Sequence, residues 1–537
     1  MKIRQIMATA ALAALALGAP LAQAADATKE QQAAAEAARV AEREEMKRLG
    51  SYYLRCDGEP NNTTGGEDFA RLVGAVTLLG IFAPSPEAPD PAKRLFAEKG
   101  VEACTHLLDD PKEETNKIRR IPLILARALH HIEGKSYTAA LIEVEKARAE
   151  AKGAGLTGNL YFDRSMGFSF DQVESVIQLR LDDPAKAEEA SLRSLGGPQY
   201  GIVQLLTAET YDQFLHDLSP AREAQLKSLV RIFPAALVVY ASRLEEVGRF
   251  ADAARYRELV IEVLEAQKPE FKGSLPYALA ALDHALVGDS ARAAARENDA
   301  RTNMDSRVAA GKAEDNAAAV VEVLDLLGIT NLAATGKLTE ARRTFAARSQ
   351  WLSPGFGTVL EVNRRLRKGA APEELFGALA KTPEVLWTER RDKERIRRLA
   401  TDSDNKTLFS NIFSYESIKD FEGTSKAVYR TDKSRLLLGE PIKRSQHWVI
   451  LSPGNGLAGL DGIVLHAALL AKARAKKGML MNLHVSRPLY GEVSFVNPDE
   501  PGVSPELYID AEAVIAALSP LIPSPETLAQ RKGAVKH

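Results

Sequence analysis

The sequence predicts a mainly α-helical protein that ends in a small α/β unit. Between about residues 92 and 350, apolar residues recur at helical spacing and are separated by short glycine-containing turns, which predicts helices joined in pairs. After about Thr407, short runs of β-branched and aromatic residues are typical of strands. Hydrophobic residues make up 45% of the chain but aromatic residues only 6%, a composition that favours closely packed helices rich in alanine.

The first residues have the three regions of a secretory signal peptide. Lys2 and Arg4 form a basic start, an apolar run follows from Ile6 to Leu17, and Ala22 and Ala24 form a small-x-small cleavage site. The apolar run is shorter than the roughly 20 residues that cross a bilayer. We therefore predict cleavage near Ala24 and a periplasmic or secreted bacterial protein without a membrane span. An ordinary N-terminal helix is the alternative.

Cys56 and Cys104 are the only cysteines of the chain. An even cysteine count in an oxidising compartment permits a disulfide bond. This bond would close a loop of about 48 residues, which contributes about 4 kcal/mol in the chain-entropy model. Neither cysteine has a histidine or a second cysteine at the spacing of zinc ligands. We predict a disulfide and no metal site, with two buried thiols as the alternative.

The charges of the chain are nearly balanced, with 70 lysines and arginines against 72 aspartates and glutamates. A general nucleic-acid-binding protein needs a basic surplus, so we expect no nucleic acid as a partner. Basic residues are concentrated between Arg364 and Arg398. Acidic residues interrupt them at helical spacing, which predicts a solvated helix face with paired charges. Contact with an anionic component of the cell envelope is the alternative use of this segment.

Four segments share a turn that begins with a glycine and ends with an alanine. In three of them, an apolar residue lies between the glycine and the alanine. The turn residues are Gly134, Tyr137 and Ala140; Gly248, Phe250 and Ala253; Gly288 and Ala293; and Gly336, Leu338 and Ala341. A glycine ends a helix in the left-handed conformation at little steric cost. The apolar residue begins the next helix, and the alanine lets the two helices approach closely.

These turns resemble the turn within tetratricopeptide repeats, over about four units between Pro122 and Ser349. The resemblance implies an α-solenoid of helical hairpins that presents an extended surface to a protein partner. The glycines are spaced irregularly along the chain, so an irregular helical bundle with the same turns remains the alternative.

The C-terminal region predicts the order β-α-β-β-α after two further short candidate strands. The expected elements are strands at Ala427–Tyr429, Leu436–Leu438 and His447–Leu451, a helix at Leu460–Lys477, strands at Met479–Val485 and Glu492–Val496, and a helix at Asp510–Ala517. Such an order is typical of a small α/β or α+β unit.

Gly454, Gly456 and Gly459 lie between a predicted strand and a predicted helix, in the spacing of a dinucleotide-binding turn. Such glycines let a pyrophosphate approach the backbone N–H groups at a helix N-terminus. The acidic residue expected after the second strand is missing, and His484 stands in that region instead. A glycine-rich turn without a ligand is therefore the preferred interpretation. A convergence of His484 with His466 and His447 is a further hypothesis.

The sequence divides into a signal peptide (1–24), a polar helix or lead-in (25–48), a helical-hairpin domain (49–405) and a small α/β unit (406–537). It contains no nucleophile elbow and no phosphate-binding lysine loop. We therefore predict an exported binding or scaffolding protein without catalysis, cofactor or metal. An enzyme, or a nucleotide- or small-ligand-binding protein, with its site at the Gly454–Gly459 turn is the alternative.

Overall fold

The structure is a computed structural model that describes residues 36–37, 50–61, 88–110, 114–159, 162–196, 200–267, 273–312, 314–351, 355–401, 405–413, 421–429, 436–438, 448–451, 458–485 and 489–534. The predicted signal peptide lies outside these residues. Of the predicted polar lead-in, only residues 36 and 37 are described, and both are helical. The chain divides into two compact units, residues 1–113 and 114–537.

In the first unit, a disulfide bond joins two helices, α1 (Tyr52–Cys56) and α2 (Ala97–Leu108). Cys56 and Cys104 are both fully buried, and their Cα atoms are 4.8 Å apart, which is within the usual range for disulfides. The predicted disulfide is therefore confirmed. Ser51 begins α1 by accepting a hydrogen bond from the Leu54 N–H group.

The second unit is mainly helical, as predicted. Its helices before the sheet are α3 (Lys117–Glu133), α4 (Tyr137–Gly153), α5 (Phe168–Arg180), α6 (Pro184–Ser194), α7 (Ile202–Thr207), α8 (Pro220–Ile232), α9 (Leu237–Glu246), α10 (Phe250–Gln267), α11 (Ser274–Leu286), α12 (Ser290–Ala309), α13 (Ala317–Ala334), α14 (Leu338–Ala346), α15 (Phe356–Arg367), α16 (Pro383–Thr401), α17 (Asn405–Phe409) and α18 (Phe421–Val428). Five antiparallel hairpins are formed by α3–α4, α5–α6, α9–α10, α11–α12 and α13–α14, which we number hairpins 1 to 5.

Each hairpin turns through one residue in the left-handed conformation. Gly248, Gly288 and Gly336 have φ angles of +77°, +84° and +82°. At hairpin 1, Gly134 has a φ of −78°, and the left-handed residue is Lys135 at +60°. Hairpin 2 turns at Asp182, with a φ of +63°. This turn was not predicted from the sequence, because an aspartate occupies the position that glycine favours.

Counted from the left-handed residue, all five turns are alike. The next N–H group bonds to a carbonyl oxygen five residues earlier, which satisfies the free end of the first helix as in a Schellman motif. Five residues after the left-handed position, each hairpin has a buried alanine. These alanines are Ala140, Ala187, Ala253, Ala293 and Ala341. The close approach of the paired helices therefore depends on the small side chain at this position.

The hairpins form two groups rather than one continuous stack. Hairpins 1 and 2 pack together through α4 and α5, and hairpins 3 to 5 pack through α10, α11, α12 and α13. Helices α7 and α8 lie between the groups in the chain, and α8 contacts both α9 and the C-terminal sheet.

Helix α15 packs against the first helix of each of hairpins 3, 4 and 5, which are α9, α11 and α13. Gly357 permits this contact, because an added Cβ atom would lie 2.3 Å from the carbonyl carbon of Glu245 in α9. Val359 and Leu366 of α15 are buried in the shared core. The face that these first helices form is thus covered by a helix of the same chain.

One described helix, α13, is long and apolar enough to cross a membrane by length and composition. Val323, Leu326 and Leu327 of this helix are buried in the core of hairpins 3 to 5. Its apolar composition is therefore explained by packing against α11, α14 and α15. A further apolar stretch of the sequence, Leu72–Ala83, is about a dozen residues long and lies outside the described residues.

The C-terminal sheet has strands β1 (Leu436–Leu438), β2 (Trp448–Leu451), β3 (Gly478–His484), β4 (Tyr490–Val496) and β5 (Ile509–Asp510), in the order β1-β2-β4-β3-β5. Helices α19 (Ala458–Ala473), α20 (Ala511–Leu518) and α21 (Pro525–Ala534) accompany it. All neighbouring strands are antiparallel, and β4 lies between β2 and β3, so the unit is a split β-α-β arrangement.

The order β2-α19-β3-β4-α20 agrees with the sequence prediction, but the two-residue strand β5 before α20 was not predicted, and the strand predicted at Ala427–Tyr429 is wrong. Residues 421–428 form helix α18, which packs against α19 and α21. Ser425 in α18 is buried and donates a hydrogen bond to the Pro523 carbonyl. The sheet core also includes Ile202 of α7 and Ile232 of α8. The α/β unit therefore completes its core with two helices that precede residue 406.

Candidate functional site

The predicted dinucleotide turn is only partly described. Gly454 and Gly456 lie outside the described residues, whereas Gly459 is buried in the first turn of α19. The Asp461 carboxylate in the same turn is fully buried, pairs with Arg164 and accepts a hydrogen bond of 2.6 Å from the Ile202 N–H group. An acceptor from the protein itself therefore lies in the first turn of this helix. The antiparallel sheet also differs from the parallel sheet to which a dinucleotide turn belongs.

The two described histidines of this unit have separate surroundings. His466 Nδ1 lies 2.8 Å from the Val428 carbonyl oxygen, and burial lowers the pKa of the ring. His484 stacks on Tyr490 with ring centroids 4.2 Å apart, and its Nε2 lies 3.0 Å from the Asn482 amide nitrogen. His447 lies outside the described residues. In the part of the chain that the structure describes, no contact joins the two rings, so the expected convergence is not seen.

A cluster of charged groups is buried between α9, α10 and α11. Arg257 donates to Glu245 Oε1 through Nε at 2.9 Å and through Nη2, and its Nε lies 3.9 Å from Asp283 Oδ2. Burial and the charge of Glu245 raise the pKa of Asp283 well above its ordinary value. Perturbed carboxyl groups often mark functional sites. Neither carboxylate lines any of the cavities described below, so we assign this cluster to the core.

The basic segment is largely paired. Arg364 and Arg365 form ion pairs with Glu361, and Arg397 forms one with Glu394. Further pairs join Arg391 to Asp392, Arg395 to Asp182 and Arg398 to Glu209. The predicted pattern of a charged helix face with internal pairs is therefore present. Arg390 and Lys393 take part in none of these pairs.

A charged cavity lies between the second helices of two successive hairpins. This inter-hairpin cleft, of about 710 Å³, is bounded by α10, the end of α11 and α12. Its lining residues are Ala251, Ala254, Arg255, Glu258, Leu259, Glu262, His284, Val287, Asp289, Arg292, Ala295, Arg296 and Glu506. Its volume is in the range of ordinary ligand pockets.

A network of ion pairs shapes the inner wall of the cleft. Arg296 donates to Glu258 at 2.6 Å, and His284 Nε2 lies 2.9 Å from the same carboxylate. Burial acts to raise the pKa of Glu258, but hydrogen bonds from Arg296 and His284 outweigh it, and the pKa is lowered. At the rim, Arg255 pairs with Glu506 at 2.9 Å. These groups are held in place by one another before any partner arrives.

Glu262 is the acidic group of the cleft that the network does not neutralise. It lies one helical turn from Glu258 on α10, and its side chain is exposed. Within the described part of the chain, no cationic group lies within ion-pair distance of its carboxylate. Burial and the charge of Glu258 raise its pKa. A positively charged group placed here would relieve this repulsion, so the cleft favours a cation from outside.

Sequence analysis did not find the cleft. In the sequence, the cleft corresponds to charged residues that recur on one face of α10, namely Arg255, Glu258 and Glu262. A charged stripe is usually a solvated face, and nothing local indicates that α12 faces this one. None of the turn residues predicted from sequence lines the cleft, although Val287 and Asp289, the neighbours of Gly288, do.

A comparison of the chain with family models, with curated proteins and with solved structures found no match.

Proposed function

We propose that the protein is an exported binding or scaffolding protein of a bacterial cell envelope, which holds a protein partner on tetratricopeptide-like hairpins and performs no catalysis. Helical-hairpin arrays generally act by presenting a surface. Export is supported by the signal-peptide pattern, and the disulfide is in keeping with an oxidising compartment. N-terminal sequencing of the protein from its periplasm should find Ala25 as the first residue.

The inter-hairpin cleft is the observation that carries this proposal. The opposite face of hairpins 3 to 5 is covered by α15, so a partner would use the second helices, where the cleft lies. Glu262 supplies an unneutralised carboxylate, and Arg292 and Arg296 lie across from it on α12. This arrangement is suited to a lysine or arginine side chain of a partner flanked by acidic groups.

Site-directed photo-crosslinking in the periplasm tests the proposal. A photoreactive residue at Ala295, which lines the cleft, should crosslink one protein partner, and the Glu262→Gln change should abolish the product. The matched control is Ala294, which is exposed on the same helix but does not line the cleft. Equal products from both positions, or none from either, would contradict the proposal.

The alternative with a site at the Gly454–Gly459 turn makes a different prediction. Mass spectrometry of small molecules that co-purify with the protein would then find a nucleotide or metabolite, which the Gly456→Val change removes. In that case the function would belong to the C-terminal unit. The antiparallel sheet and the protein-supplied contacts of Asp461 do not favour this alternative.

A further inference from the structure

A second cavity, of about 540 Å³, lies between α15, α16 and the segment that follows α14. It differs from the inter-hairpin cleft in the chemistry of its walls, because one wall is apolar and the other is cationic. We call it the amphipathic pocket and define it by its apolar floor and its basic rim. The floor consists of Trp351, Phe356, Val359 and Leu386, and the rim consists of Lys381, Arg390, Lys393 and Arg397.

The floor is built from rigid side chains. Trp351 stacks on Phe345 with ring centroids 5.1 Å apart, and its indole N–H group donates to the Phe345 carbonyl at 3.3 Å. Val359 belongs to the buried core of α15 and is only 1% exposed. An apolar body that enters the pocket would therefore meet a preformed surface and would displace water from it.

Three of the four rim cations lie on one face of α16, and Lys381 lies just before this helix. Leu386, Arg390, Lys393 and Arg397 follow one another at spacings of three and four residues, which places them on the same side of the helix. Two carboxylates also lie on this face, and both are tied to cations of the rim. Glu389 accepts from Lys381 at 2.7 and 2.8 Å, and Glu394 pairs with Arg397.

Arg390 and Lys393 are the cations that this pairing leaves over. Neither has a carboxylate within ion-pair distance among the residues that the structure describes. The Arg390 guanidinium lies 4.5 Å above the ring of Phe356, which holds it over the floor while its N–H edge can still donate. Both side chains are exposed to solvent. The pocket therefore combines an apolar cavity with two unneutralised positive groups at its mouth.

We propose that the amphipathic pocket binds an anionic amphiphile, a molecule with an apolar body and a single carboxylate or phosphate head. The apolar body lies against Trp351 and Val359, and the head accepts hydrogen bonds from Arg390 and Lys393. A cationic or neutral head lacks this match, because the four cations of the rim outnumber the two carboxylates beside them, Glu389 and Glu394. This assignment goes beyond the proposed function and does not depend on the inter-hairpin cleft.

Isothermal titration calorimetry of the mature protein with dodecanoate, dodecyl phosphate and dodecyltrimethylammonium, each below its micelle concentration, tests the assignment. We expect one anion per chain and no binding of the ammonium compound. Arg390→Gln and Lys393→Gln should each weaken anion binding about tenfold, since a hydrogen bond to a charged group contributes about 1.5 kcal/mol or more. A preference for dodecanoate would indicate a fatty acid, and a preference for the phosphate would indicate a lipid head group.

Arg343→Gln is the matched control, because this arginine is exposed on α14 and does not line the pocket. It should bind the anions as the unchanged protein does. Lys393→Gln alters an exposed side chain, so far-ultraviolet circular dichroism should show an unchanged fold. Equal affinity for the ammonium compound, unaltered anion affinity in both rim variants, or no binding of either anion would overturn the assignment.

Discussion

Arg222 and Glu188 form a buried ion pair that joins α8 to α6. The guanidinium donates to both carboxylate oxygens at 2.7 Å, to Gln225 Oε1 at 2.8 Å and to Ser191 Oγ at 3.1 Å. Arg222 is 0% exposed and Glu188 is 3% exposed. We predict that Arg222→Met destabilises the second unit strongly although methionine fits an apolar environment well.

The cost arises from the charge that is left behind. Without Arg222, the Glu188 carboxylate remains buried and keeps a hydrogen bond of 3.1 Å from the Tyr211 N–H group. Removing one partner of a buried ion pair typically costs about 3–5 kcal/mol, because the other charge has lost both its hydration and its partner. Replacing both residues removes the stranded charge. The double variant Arg222→Met, Glu188→Met should therefore be more stable than Arg222→Met by about 2 kcal/mol.

Urea unfolding followed by far-ultraviolet circular dichroism measures these differences. The control is Arg301→Met, which breaks an exposed pair with Glu297 at 2.8 Å on α12 and should cost about 0–1 kcal/mol. A free-energy cost for Arg222→Met no larger than that for Arg301→Met would contradict this prediction. A further loss of stability on adding Glu188→Met to Arg222→Met would contradict it as well.

Four other changes have outcomes that the structure defines. Gly357→Ala should lower the free energy of unfolding by about 1–3 kcal/mol, because the added Cβ atom would meet the backbone of α9. The control is Gly328→Ala within α13, where the added Cβ atom meets no other atom and should leave the stability unchanged or raise it; thermal melting of both variants measures the difference. Lys135→Gly should raise the melting temperature. Glycine relieves about 1–2 kcal/mol of strain in the left-handed conformation, whereas its greater conformational entropy in the unfolded chain costs less than that. The pKa of Glu223 is lowered from 4.5 to about 2, chiefly by a hydrogen bond from Arg249, so the stability that this carboxylate contributes is present above about pH 4.5 and is lost as the pH falls to about 2. In Glu223→Gln, the free energy of unfolding should therefore fall less steeply over this pH range, which acid titration measures. Reduction of the disulfide should destabilise the first unit by about 4 kcal/mol, which unfolding with and without reductant measures.

The hairpin turns were readable from the sequence because their requirements are local. A left-handed residue, a capped helix end and a small residue five positions later all lie within one short segment. Where another residue adopts the left-handed conformation, the signal fails. Asp182 was missed for this reason, and the turn at Lys135 was assigned to Gly134. Both residues are exposed, and local backbone hydrogen bonds from the N–H groups of Ser136 and Asp183 close these turns although the side chains do not favour the conformation.

In the C-terminal unit too, some features were predictable from the sequence and others were not. Strand and helix order followed from residue type and from turn signals, so the β-α-β-β-α order was predictable. The insertion of β4 between β2 and β3 was not, because strand pairing depends on which edges meet after the chain has turned back. Ala427–Tyr429 has the composition of a short strand, yet contacts with α19 and α21 make it part of a helix and its end.

The amino-acid sequence was enough to predict the helical class, the disulfide pair and the three hairpin turns at Gly248, Gly288 and Gly336, and it also predicts export. The cover of α15 over the first helices of hairpins 3 to 5, and the position of Glu262 and Arg390 at cavities, follow from tertiary packing alone. The physical reason is the range of the interactions. Helix periodicity and turn chemistry act over a few residues, whereas a cavity is the space left where distant faces meet, and no local pattern encodes that meeting.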